Sequence, residues 1–394
     1  MNNAFDLALY FSVVALSCMC LRLALSVSST QKAMRRGILL LAWVIPGVFY
    51  SLKYTTLENA DYGRYIELSQ GVAELSLDEY LTLDTPYKLE SSFWLLARLS
   101  WRLTSGPYLI FAAYYLLTVA CFLLGICALR NLSAIQKSSL WMFVLLTVIP
   151  FGLSGARALL ATSLVFFAAV KIFQGRYVQF VALSAVAAFF HASSLVASVI
   201  VFLAAVSTSR KTHRLSRSLL ACLALGVGGV GLASQLTYGT LFGLLNRIPL
   251  LGKYTAYESV IDPDSAIPSL SAVLPYVAAQ TGAKALLLLF VVALCLSHEK
   301  EDYFIDSPTL RLLVLSSLAI AFTLVSAFAR IGQLLYPLLG VCLYCLPKRR
   351  SHDEAKISPI DLTLAAYSIT YFCAFVLIAN WTGFFPFSFI WEHD

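Results

Sequence analysis

Three ionisable residues interrupt stretches of this chain that are otherwise apolar. They are Arg157 in Ser154-Gly155-Ala156-Arg157, His191 in Phe190-His191-Ala192-Ser193-Ser194, and Arg330 in Ala327-Phe328-Ala329-Arg330-Ile331. Scarcely any polar loop surrounds them. Charge is costly in such surroundings, and residues of this kind usually face a protein interior or a water-filled cavity. A guanidinium stays charged and grips phosphate oxygens bidentately. A histidine accepts a proton near neutral pH with little tuning. Two arginines directed at one cavity therefore suit an anionic ligand such as a diphosphate, with a base beside it. The plainer alternative is that helix-end arginines snorkel to headgroups and that the histidine bonds a carbonyl. Three such residues in tight turns at one membrane face weigh against it. Two acids join the candidates. Asp61, in Asp61-Tyr62-Gly63-Arg64-Tyr65, offers a carboxylate to sugar hydroxyls beside aromatic rings. Glu90 precedes an apolar segment, where an acid favours the positive end of a helix. Either acid is also a candidate base, and either, taken singly, reads as an ordinary solvated loop acid.

The elements that must position these residues are membrane helices. The chain has 394 residues, of which 59% are hydrophobic and 12% charged. A soluble domain carries roughly 25% charged residues, so this one has too little polar surface for water alone. A spanning helix needs about 20 mostly apolar residues, and its backbone must be satisfied internally. The apolar runs predict an all-α, polytopic membrane protein of about twelve spans. They fall near 5–25, 37–54, 107–129, 138–153, 157–174, 177–190, 192–206, 217–234, 284–297, 309–329, 331–347 and 359–380. The N-terminal run lacks the basic flank of a signal peptide and is expected to remain as the first span. With the N-terminus outside, most of the 28 basic residues fall on short inner turns, as the positive-inside rule asks. Both termini then lie outside. So do the turns holding Arg157, His191 and Arg330.

The whole chain, 1–394, reads as a single polytopic membrane domain with two long extracytoplasmic loops, 55–106 and 235–283. The first ends in Leu89–Leu103, where Arg98 and Arg102 share a helical face and Trp94 and Trp101 suit headgroup depth, an interfacial helix. Other patterns carry little. The nine cysteines sit in apolar runs and form no disulfide framework, and Cys342-x-x-Cys345 marks one helix face. Asp262-Pro263-Asp264 has a cation-like spacing, but its proline signals a turn. Gly226, Gly228 and Gly231 match a dinucleotide fingerprint without the strand it requires, so close helix packing explains them. No metal, cofactor or nucleic-acid motif appears.

The order of these features resembles the EpsG-like, Wzy-type polysaccharide polymerase family. The residues carrying the resemblance are Asp61-Tyr62-Gly63-Arg64-Tyr65, Glu90 with Phe93 and Leu95-Leu96, and Gly155-Ala156-Arg157-Ala158-Leu159-Leu160-Ala161. They continue with Gly175-Arg176-Tyr177, Phe190-His191-Ala192-Ser193-Ser194-Leu195, and Arg330 six positions before Tyr336. The resemblance implies a GT-C-like helical architecture and no metal or other cofactor. It implies that lipid-linked oligosaccharide repeat units, carried on undecaprenyl diphosphate, are polymerised at the outer face of the cytoplasmic (inner) membrane. Arg157 and Arg330 are expected to hold the diphosphate, with Arg64, Tyr65 and Tyr336 also in substrate binding. His191, or else Asp61 or Glu90, is expected to take the acceptor proton. Expected partners are undecaprenyl-diphosphate-linked oligosaccharides, the lipid bilayer and a chain-length regulator, with no nucleic acid. Two alternatives stay open. A lipid-linked oligosaccharide flippase fits by span number, although no ionisable residue sits clearly at the midplane. A glycan ligase or acyltransferase would act on finished surface glycan.

Overall fold

Apolar runs of this length form helices because only a helix satisfies its own backbone in lipid. The computed structural model describes residues 3–28, 30–54, 61–83, 90–152, 155–206, 212–215, 303–306, 311–312, 315, 326–345, 359–373 and 388–389. Within these, side chains at 3–5, 53–54, 61–64, 151–152, 212–215, 303–306, 326–331, 343–345, 359 and 388–389 fall outside the description. The expected spans 217–234 and 284–297, most of 309–329, and the loop 235–283 lie outside the described residues. So do Asp262-Pro263-Asp264 and the glycines at 226, 228 and 231.

Helices α1 (Asn3–Ser26) and α2 (Lys32–Leu52) form an antiparallel pair. The expected first loop is itself largely helical: α3 (Asp61–Glu74), α4 (Leu77–Thr82) and α5 (Ser91–Thr104). A capping box starts α4, with Ser76 N–H donating to Glu79 Oε2 at 2.7 Å and Glu79 N–H to Ser76 Oγ at 3.3 Å, which satisfies two helix-end donors at once. Ser105 ends α5 in the left-handed region at φ 54, and Pro107 is the N-cap of α6 (Tyr108–Ala128).

Next come α7 (Ala134–Phe143), a π-helical turn at Val144–Val148, and α8 (Ile149–Gly152). These are followed by α9 (Ala156–Phe173), α10 (Tyr177–Phe190) and α11 (Ser194–Ala205). Later in the chain are α12 (Ser326–Cys345) and α13 (Pro359–Tyr371). Two short antiparallel pairs accompany the helices: β1 (Lys53–Tyr54) with β4 (Ser388–Phe389), and β2 (Thr212–Leu215) with β3 (Tyr303–Asp306). Neither makes a sheet layer. Among the described residues, Asp6–Ser26, α2, α6 and α9 are long and apolar enough to cross a membrane. Ala134–Val148, α10, α11 and Gly332–Cys342 are shorter apolar helices.

The chain divides into two compact units, Met1–Phe202 with Ser351–Asp394, and Leu203–Arg350. In the first unit α9 is the centre. It packs against α6 on one side and α10 on another, and nearly all its side chains are buried. The approach to α6 depends on Gly125, where a Cβ would stand 2.7 Å from Phe166 Cε1. At the far end of α6, Lys137 Nζ donates to Cys127 O at 3.3 Å and Gln174 Nε2 to Ala128 O at 2.6 Å. These side chains occupy carbonyls that the helix end leaves without partners.

A neutral polar seam joins α1, α2 and the π turn. Such a turn frees a carbonyl from the regular ladder. Here Leu145 O receives both Tyr10 Oη and Tyr50 Oη, the latter at 3.0 Å, and the two hydroxyls stand 2.9 Å apart. Nearby, Trp141 Nε1–H donates to Ser17 Oγ at 2.9 Å, and Ser17 donates to Ala42 O at 2.7 Å. Tyr10 also stacks on Phe372, next to the C-terminus of α13.

Candidate functional site

Glu90 stands immediately before α5 in an extended conformation, as an N-cap residue should. Its position before the helix is the expected one, but its carboxylate makes no side-chain cap bond there. Instead it reaches two other elements. Glu90 Oε2 pairs with Arg157 Nη1. Oε1 lies 3.2 Å from His191 Nδ1 and accepts from Ala192 N–H at 3.3 Å. The Glu90 backbone is held by Tyr80 of α4, whose hydroxyl donates to Glu90 O at 3.4 Å.

Arg157 is the second residue of α9, so its charge adds to the positive helix end. Its Nε–H donates to Tyr65 Oη at 2.7 Å, and its Cζ lies 5.2 Å from the Tyr65 ring centre. Tyr65, from α3, is buried among Phe93, Phe111 and Tyr114, with ring centres 5.3, 6.3 and 6.4 Å away. His191 ends α10. Its N–H donates to Ala187 O at 2.9 Å, and its own carbonyl receives Ser194 N–H at 3.0 Å. The turn between α10 and α11 is thus fixed by its backbone, and the ring is presented to Glu90.

The side chains of Arg157, Glu90 and His191 are 10%, 22% and 18% exposed. The cluster is therefore largely shielded, and Glu90 Oε2 and His191 Nε2 are themselves buried atoms. A carboxylate between a guanidinium and an imidazole can orient the ring, fix its tautomer and stabilise a proton on it. A helix N-terminus carrying an arginine can hold an anion.

The structure brings together Glu90, Arg157, His191 and Tyr65 of the residues singled out in the sequence. Asp61 and Arg64 lie on the first turn of α3, with side chains outside the described residues. Arg330 was expected in a turn between two spans. It lies within a continuous helix, on the second turn of α12, and its side chain is outside the described residues. Tyr336 is buried on the same helix. Trp94 and Trp101, expected at headgroups, give their N–H groups to the protein. Trp94 donates to Leu75 O at 3.0 Å and Trp101 to Ser69 Oγ at 3.0 Å. Arg98 Nη1 also donates to Leu75 O, at 3.1 Å. These contacts pin α5 to α3 and so fix Glu90. The side of α5 left exposed carries Leu95, Leu99 and Leu103, which suits an apolar surround.

The sequence reading missed Tyr80 and the Ala192 N–H as supports. Tyr80 lay unmarked in an acidic loop. A backbone donor has no side-chain signature.

Apolar spanning helices with an ion-paired polar cluster at their ends define a multi-pass membrane protein of the helical type. The chain belongs to the EpsG family, whose model matches residues 37–389. That family is one of membrane proteins of polysaccharide biosynthesis, and membership implies a glycosyltransferase-like polymerase in general terms. No curated protein and no solved structure matches the chain.

Proposed function

We propose that the protein polymerises undecaprenyl-diphosphate-linked oligosaccharide repeat units into a surface polysaccharide, at the outer face of the cytoplasmic membrane. The single observation supporting this reading is the Arg157–Glu90–His191 cluster, set at the start of α9 and the end of α10. In the reaction an acceptor sugar hydroxyl oxygen forms a bond to the anomeric carbon of the donor glycan. The bond from that carbon to the diphosphate oxygen breaks, and its electron pair leaves with undecaprenyl diphosphate. Arg157, helped by the α9 N-terminus, holds the diphosphate and stabilises its growing charge. Arg330 is the second arginine assigned to it. His191 takes the acceptor proton on Nε2 while Glu90 holds Nδ1. Asp61 remains the alternative base, with Arg64 and Tyr336 in substrate binding. Tyr65 sets the pose of Arg157. A chain-length regulator is a further proposed partner.

The test is a gel of surface polysaccharide and lipid-linked glycan from a deletion strain complemented with wild type, His191→Ala or Arg157→Ala. Wild type should restore a ladder. Both variants, present at normal level, should leave single repeat units exposed outside. A full ladder from both variants would remove the catalytic assignment. Units retained inside would point to transport instead, and complete but unattached polymer to a ligase.

A further inference from the structure

The guanidinium assigned to the donor is already engaged. Arg157 Nη1 faces Glu90 Oε2, and a diphosphate arriving there meets a carboxylate. Like charges at one site oppose each other. The carboxylate, however, has a second berth within reach, because its other oxygen already lies 3.2 Å from His191 Nδ1 and 3.3 Å from Ala192 N. Resting on the donor-binding reading above, we infer that Glu90 is an internal anion that occupies Arg157 in the empty site and is exchanged for the donor diphosphate, moving onto His191 and the Ala192 N–H.

The exchange leaves no charge buried alone. Arg157 is compensated by Glu90 before the donor binds and by phosphate oxygens afterwards. That matters for a side chain only 10% exposed, since stripping the partner from a buried charge is strongly destabilising. The exchange also changes His191. A carboxylate given over to Nδ1–H fixes the tautomer, leaves Nε2 to receive the acceptor proton, and stabilises the imidazolium that results. The Nδ1 contact already present in the empty site is thereby kept on donor arrival and no longer shared with Arg157. Glu90 acts through Arg157 and His191 as a positioning residue and does not itself take the proton. Its anchor at α5, through Tyr80 and the α3 contacts, limits its travel to the distance between two neighbours.

The experiment uses the full chain in nanodiscs and geranylgeranyl diphosphate as probe, with binding measured by calorimetry and folding by melting without ligand. Glu90→Gln keeps the shape and removes the competing charge. It should bind the probe about tenfold more tightly than wild type, the effect of a charge-assisted bond of roughly 1.4 kcal/mol, while polymer formation falls. A merely structural glutamate would, when lost, only weaken binding. His191→Ala removes the second berth and should weaken probe binding, although the ring does not touch the diphosphate. Arg157→Ala should abolish binding. Loss with Arg157→Ala but weaker or equal binding with Glu90→Gln, or unchanged binding with His191→Ala, overturns the exchange and leaves the donor-site reading standing. Equal binding by wild type and Arg157→Ala overturns the donor-site reading itself.

Discussion

Two polar clusters tie the first unit together, and they are built from opposite materials. The Tyr10–Tyr50–Leu145 seam is neutral, fully buried and made of hydroxyls meeting a carbonyl that a π turn releases. The Glu90–Arg157–His191 cluster is charged, partly open and set at helix ends. Inside a bilayer a neutral hydrogen bond holds helices without a large desolvation cost, whereas full charges are expensive and are kept where they can meet water or a ligand. The difference separates a seam that fastens from a cluster to which the proposed function assigns the chemistry.

The comparison can be broken first at Tyr65. Tyr65→Phe keeps the ring beneath Arg157 but removes the acceptor of its Nε–H. A lost bond to a charged group is worth roughly 1.5–3 kcal/mol. Polymer output should therefore fall by tenfold or more at normal protein level, read from the ladder. If output holds, the Arg157 pose is set by Glu90 alone. The seam should answer in the opposite way. Tyr10→Phe and Tyr50→Phe should each lower stability by about 0.5–1.5 kcal/mol, non-additively, because two protons serve three contacts. Melting in nanodiscs measures the loss, and the ladder should persist. A vanished ladder with an unchanged melting temperature would erase the distinction.

The smallest effect lies at the α4 cap. The Ser76 backbone N–H and hydroxyl hold the Glu79 carboxyl below its ordinary 4.5. A depressed carboxyl contributes stability above its unfolded pKa and loses it as pH falls through the folded value. The melting difference between wild type and Glu79→Gln should thus be present at neutral pH and fade below about pH 4.5. A difference that grows on acidification would contradict the capping-box account.

Much of this was legible in the sequence because charge in an apolar run is conspicuous. Arg157 and His191 stood out for that reason, and the helical class followed from composition and run length. Glu90 was legible as a helix-opening acid, but its pairing was not. Its histidine partner lies 101 residues away, and Tyr65 lies 92 from Arg157. Contacts across such separations leave no periodic trace. Tyr10 and Tyr50 were illegible for another reason, since a tyrosine in an apolar run reads as core filling. The helix at Leu89–Leu103 was legible and stands as α5, whereas α3 and α4 were masked by their acidic composition, which reads as coil until the Ser76–Glu79 box is noticed.

The π turn at Val144–Val148 also redirects its helix. Such a turn closes its hydrogen bonds from i to i+5 and so holds one residue more than a regular turn. One added residue swings everything beyond it by about 100°. Before the turn, α7 packs against α1 and α13; beyond it, α8 meets α9. The wider turn therefore lets a single helical run address two neighbourhoods, and the tyrosine pair supplies partners to the Leu145 carbonyl within it.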